Sequence, residues 1–159
     1  MTLEVDDLSR HPRFTPRLVD AFFAEWPDWC NRVGRGAVER IFEGAAPLPV
    51  ILVAFRGDAL AGTIALRPWF AEAPMPRSPW VRQLLVLPPY RGRGVDRTLI
   101  AAITDRARSL GFAHLHAATN RIERLLARRG WEVFDRVEVD GEKFAWLRLS
   151  IGDQSPFMM

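Results

Sequence analysis

The chain has 159 residues, 48% of them hydrophobic and 26% charged, a composition that suits one ordinary globular domain with a sizeable core. Its single cysteine, Cys30, excludes an internal disulfide, and its longest apolar run, near Val50 to Phe55, falls far short of the roughly 20 residues needed to cross a bilayer. The net charge of +3 is too small to argue by itself for nucleic acid, and it is carried almost wholly by arginine, since Lys143 is the only lysine. Arginine suits planar recognition of phosphate and carboxylate.

The acidic start, Met1 to Asp7, lacks the basic-then-apolar layout of a signal peptide, so a cytoplasmic protein with no membrane segment is expected. Leu3 to Val5 reads as a short strand. Thr15-Pro16 predicts a helix start, with Thr15 as N-cap and Pro16 in the first turn. Leu18, Phe22 and Trp26 follow at helical spacing, with Val19 and Phe23 beside them, and Pro27 is expected to end that helix. A second short helix is predicted over Gly36 to Glu43, followed by a break from Gly44 to Pro49. Val50 to Phe55 is a continuous, β-branched apolar run typical of a buried strand. Arg56-Gly57-Asp58 is turn chemistry, and Ala61 to Leu66 reads as the return strand. Pro68, Pro74, Pro76 and Pro79 then forbid regular structure and mark a long loop.

Trp80 to Leu87 is the next predicted strand, stopped by Pro88-Pro89. From Gly94 to Leu110 the pattern is helical, with Val95, Leu99, Ala102, Ile103 and Ala107 on one face and Gly111 as C-cap. His114 to Ala118 reads as a strand. Ile122 to Arg129 reads as a helix with Ile122, Leu125 and Leu126 inward, ended by Gly130. Trp131 to Val139 and Phe144 to Ile151 predict a closing hairpin across Asp140-Gly141. The order is mixed α/β, hairpins at both ends and helical crossovers in the middle, in one domain over 1–151 with 152–159 as a frayed tail.

The stretch from Leu84 to Asp96 carries the chemistry. A strand ends, a turn with Gly92 and Gly94 follows, and a long helix begins. A helix head leaves backbone N–H groups unpaired and adds the positive end of the macrodipole. Gly92 and Gly94 remove side chains that would hold an anion off the backbone, and Arg91, Arg93 and Arg97 add formal charge. Together these residues predict a nest for a phosphate or pyrophosphate. The P-loop pattern would need Lys-Ser or Lys-Thr after the second glycine, and the dinucleotide fingerprint a third glycine where Arg97 stands. The pyrophosphate of coenzyme A is the best remaining match.

Arg91-x-x-Gly94 resembles the first four positions of the motif [Gln/Arg]-x-x-Gly-x-[Gly/Ala] of the Gcn5-related N-acetyltransferases, the GNAT superfamily. The strand before it resembles that family's fourth. The long helix, the His114 to Ala118 strand and Leu125-Leu126-Ala127-Arg128-Arg129-Gly130-Trp131 resemble the rest of its acetyl-CoA site. The resemblance runs from about Pro79 to Trp131. It implies a GNAT-like acyl-CoA N-acyltransferase fold, a mixed and mostly antiparallel sheet of about seven strands, splayed between strands four and five and flanked by about four helices. It also implies acetyl transfer to an amine by direct attack, with pantetheine beside Leu84, Leu85, Val86 and Leu87, pyrophosphate on the amides of Gly92, Arg93, Gly94, Val95 and Asp96, and Asn120 near the pantetheine arm. Two positions depart from the pattern: Asp96 replaces the motif's final Gly/Ala, and Leu126 stands where the family often carries a tyrosine that protonates the leaving thiolate. They motivate an alternative, a non-catalytic acyl-CoA binder of the same fold.

An attacking amine must lose a proton to a carboxylate or histidine, directly or through water. Glu72, on the proline-rich loop, and His116, on the fifth predicted strand, are the candidates; a structural histidine is the stronger reading of His116. Trp26 and Trp29 are candidates for an aromatic wall around the acceptor, and core packing is their other reading. No metal site and no nucleic-acid partner are expected. Acetyl-CoA and an amine acceptor are, and the last hairpin offers an edge for a homodimer.

Overall fold

The computed structural model describes residues 2–68 and 79–152. Its strands are β1 (Glu4–Asp7), β2 (Val50–Arg56), β3 (Ala59–Arg67), β4 (Trp80–Val86), β5 (His114–Thr119), β6 (Glu132–Val139) and β7 (Glu142–Ser150). Its α-helices are α1 (Thr15–Glu25), α2 (Pro27–Val33), α3 (Arg35–Arg40), α4 (Val95–Ser109) and α5 (Glu123–Arg128). The seven strands form one sheet in the order β1-β2-β3-β4-β5-β7-β6. The pairs β1–β2, β5–β7 and β6–β7 are antiparallel. The β4–β5 pair is parallel and is registered through Trp80↔His116 and Val81↔Ala117. Just beyond that short register, Gln83 takes a φ of 53°, a left-handed conformation that interrupts the extended backbone of β4.

The chain falls into two compact units, one of residues 1–65 and 83–103, the other of 66–82 and 104–159. In the first, α1 turns Leu18, Val19 and Phe22 inward, as the helical spacing predicts. These meet Phe14, Val38, Ile51, Val53 and Phe55 in one buried cluster. The Phe22 ring lies edge-on to Trp26 at 5.0 Å and to Phe42 at 4.8 Å, geometries that add to simple area burial. Val95 and Leu99 of α4 lie over Gly62 of β3, where an added Cβ would come within 2.7 Å of the Leu85 carbonyl oxygen. In the second unit, Leu115, Leu126, Leu147 and Trp131 are buried. A cluster of Trp80, His116, Phe134 and Trp146 spans β4 to β7, with ring centroids 5.2–6.2 Å apart.

Two local expectations are corrected. Thr15 is already helical, and Phe14 caps α1 without a side-chain hydrogen bond, because a 3₁₀ turn at Pro12–Phe14 feeds directly into the helix. Pro27 ends α1 and also opens α2: it cannot donate a backbone hydrogen bond, which the first turn of a helix does not need. A helix over Pro27–Val33 therefore precedes a shorter α3 than expected, and the helices number five among the described residues. At the other end, Ile151 and Gly152 both donate backbone hydrogen bonds to the Ala113 carbonyl, at 2.8 and 3.0 Å, which ties the end of β7 to the residue before β5.

Candidate active site

The turn between β4 and α4 has the form the sequence predicts. A 3₁₀ turn at Pro88–Tyr90 carries the chain away from β4, and α4 begins at Val95. Gly92 and Gly94 have φ of 76° and 79°, a region that costs other residues about 1–2 kcal/mol. A Cβ on Gly92 would meet nothing within 4 Å, so backbone conformation rather than crowding calls for glycine there. Among the described residues, the amides of Gly92, Arg93, Gly94, Val95 and Asp96 have no protein acceptor, whereas Thr98 already closes the first helical bond to the Gly94 carbonyl at 3.1 Å. Five donors are thus gathered at the positive end of a 15-residue helix. A hollow of about 620 Å³ beside them is lined by Thr2, Leu3, Arg93 and Thr98.

The arginines around the turn divide. The Arg97 guanidinium folds back to within about 4 Å of where a Gly94 side chain would start. Arg91 is committed to the fold: its Nη2 donates to Glu25 of α1 at 2.8 Å and its Nε to the Val86 carbonyl at 2.9 Å. That clamp ties the turn to α1, and sequence reading missed Glu25 because nothing marks a pairing across 66 residues. Asp96 accepts from the Arg97 amide at 2.8 Å, so the carboxylate occupies one helix-head donor.

Along β4, Leu85 is buried and Leu84, Val86 and Leu87 are half-buried. The Leu87 amide donates to the Ala61 carbonyl at 2.9 Å. Trp26 packs against the core of the first unit, while Trp29 is exposed. In the second unit, His116 is buried with its Nδ1 3.2 Å from the Pro79 carbonyl oxygen and its ring between Trp80 and Phe134. Asn120 donates to Glu142 at 3.0 Å. Glu72 lies outside the described residues. Arg67 and Arg82, which sequence reading did not single out, lie at the end of β3 and in β4. Burial lowers the pKa of both, that of Arg82 to about 10, and the like charge of Arg67 adds to the effect on Arg82. Among the described residues, no group of three or more His, Cys, Asp or Glu side chains is placed to hold a metal. No helix among them is long and apolar enough to cross a membrane.

A mixed seven-stranded sheet whose fourth strand runs into open amides at a helix head defines the acyl-CoA N-acyltransferase class of fold. The family described as Acetyltransferase (GNAT) family matches residues 12–131. The chain belongs to this family and is an acetyltransferase. Solved structures agree in fold. An aminoglycoside 6'-N-acetyltransferase complexed with coenzyme A superposes at a TM-score of 0.77 and 14% identity, over 96% of this chain and 99% of that one. The aminoglycoside 6'-N-acetyltransferase from Enterococcus faecium does so at 0.74 and 14%, over 98% and 99%. A GNAT family acetyltransferase from Elizabethkingia anophelis with acetyl-CoA bound gives 0.51 and 14%, over 64% and 76%. No curated protein matches the chain significantly.

Proposed function

We propose that this protein transfers the acetyl group of acetyl-CoA to a primary amine, on a small molecule or on a peptide or protein, by direct attack within a ternary complex. One acetyltransferase domain over residues 1–151 carries the reaction. The observation behind the reading is the row of open amides from Gly92 to Asp96. These donors receive the pyrophosphate, with Arg93 and Arg97 supplying charge. Arg91 holds the turn in place through Glu25. Pantetheine runs beside Leu84 to Leu87, and Asn120 serves its arm.

The amine nitrogen attacks the thioester carbonyl carbon, the carbon–sulfur bond breaks, and coenzyme A departs as the thiolate. The proton shed by nitrogen passes to Glu72 or His116, directly or through water. Leu126, buried in α5, offers no proton to the sulfur. A thiol of pKa about 8.5 is a tolerable leaving group without one. Trp26 and Trp29 are proposed to border the acceptor.

A thermal shift with acetyl-CoA tests the donor site. Ligand at 100 times its dissociation constant should add about 2.7 kcal/mol of stability. No shift at millimolar ligand would sink the reading. The Asp96 carboxylate on the Arg97 amide, together with Leu126, favours a second reading: a binder of acyl-CoA that does not turn over. Thiol release measured over a panel of amines, an aminoglycoside among them, separates the two.

A further inference from the structure

A groove of about 930 Å³ lies in the second unit, along α5 and the β6–β7 hairpin, with Asn120 of the proposed pantetheine site at its margin. Five cations line it: Arg121, Arg124, Arg128, Arg136 and Lys143. Two carboxylates, Glu123 and Glu138, do so as well, leaving a net +3 on the lining, equal to the net charge of the whole chain. The formal charges outside this lining therefore sum to zero.

The charges are not all spent on one another. Arg136 donates to both oxygens of Glu123, at 2.9 and 2.8 Å, which holds the Glu123 carboxyl below its usual range. Among the described residues, Arg121, Arg124, Arg128 and Lys143 have no ion pair. All four are exposed. Arg124 and Arg128 lie one turn apart on α5, about 6 Å at helical rise, with Arg121 two residues before the helix. That span asks for several anionic groups in a row rather than one. The floor between them is apolar: Ile122, Leu125, Val137 and Phe144. A groove for single-stranded nucleic acid would interleave several aromatic rings for base stacking, and Phe144 is the one aromatic in this lining.

We propose that this groove binds an acidic polypeptide segment, whose carboxylates pair with the free arginines and Lys143 while an aliphatic side chain lies on the apolar floor. Arginine forks match carboxylates bidentately, and exposed charges of this kind steer association.

Fluorescence anisotropy of a labelled short peptide of interspersed Glu and Leu, with and without saturating coenzyme A, tests the proposal apart from any turnover. The Glu peptide should bind about tenfold more tightly than its Gln counterpart, and added salt should weaken it. Arg124→Glu with Arg128→Glu, and separately Lys143→Glu on the facing hairpin, should each weaken binding about tenfold while the far-UV circular dichroism melt stays that of the wild type. If the helix double variant fails to fold, Lys143→Glu and the salt dependence carry the test. Equal binding of the Gln peptide, tighter binding of labelled oligothymidylate, displacement of the peptide by coenzyme A, or wild-type affinity in the folded variants would each overturn it.

Discussion

Asp96 sits on the first turn of α4, where the macrodipole favours a carboxylate, and its Oδ1 accepts from the Arg97 amide at 2.8 Å. In the proposed site the same position is costly, because the pyrophosphate shares the helix head with a like charge. Asp96→Ala frees that amide and removes the repulsion. Its dissociation constant for coenzyme A, measured by isothermal titration calorimetry, should fall by about three- to tenfold, the worth of one partly exposed charge near a helix end. An unchanged constant would mean that the carboxylate does not compete with phosphate. Gly62 is a second residue with a sharp consequence. A methyl group there meets the Leu85 carbonyl oxygen at 2.7 Å and Leu99 Cδ1 at 3.1 Å. Backbone cannot step aside as a side-chain tip can, so Gly62→Ala should lose about 1–3 kcal/mol in urea unfolding. Gly92 and Gly94 were legible in the sequence because their spacing after a strand is a pattern. Gly62 was not, because close approach depends on what the helix crossing it brings. The left-handed Gln83 was hidden for a similar reason: nothing in a glutamine marks a kink.

The segment joining β1 to α1 shows what an element's chemistry can hold. Asp6 Oδ2 lies 3.0 Å from His11 Nε2, while Oδ1 accepts from the Asp7 amide at 2.8 Å and from Arg10 at 3.2 Å. The hydrogen bond with His11 lowers the Asp6 pKa against desolvation, and Asp7 and Arg10 help. A carboxyl depressed in the folded state stabilises the fold above its unfolded pKa of about 3.9, and that stability is lost as pH falls through the folded value. Asp6→Asn should therefore be less stable than the wild type at pH 6, by under about 1 kcal/mol for so small and partly exposed a network. The gap should close below pH of about 4. Chemical denaturation at both pH values reads it, and a gap that persists in acid would show that the carboxyl's charge is not what matters. At this scale the sequence was a good guide wherever periodicity was long, as in β2, α4 and the last hairpin. It missed α2 and overran α3, because Gly34 divides Pro27–Arg40 into helices of 7 and 6 residues that carry too few turns to show a period.

For the whole molecule, the succession of strands and helices along the chain and the glycine turn between β4 and α4 followed from local pattern. Which distant segments meet in space did not, because that depends on pairing far along the chain. His116 illustrates this: alternation marks it as inward or outward, but only the fold seats it among Trp80 and Phe134. The final hairpin poses the same problem for assembly. Among the described residues, β6 is the terminal strand of the sheet, and no described strand pairs with its outer row of amides and carbonyls. Val133 on it is exposed, which favours pairing. Against that stand exposed Glu132, Asp135, Arg136 and Glu138 along one strand, and a register shift between Val133 and Asp135 that bends the edge. Charges and a bulge are the devices by which natural edge strands refuse partners, and a single exposed valine is a small counterweight. Sedimentation equilibrium at micromolar protein should thus give a mass near the 18.1 kDa of one chain. If a dimer forms instead, Arg136→Pro should leave it intact only when the β6 edge is not its interface, since proline cannot donate to a new ladder. Loss of the dimer in that variant, with the monomer still folded, would place the contact on β6 and show that the bulge and charges do not protect it.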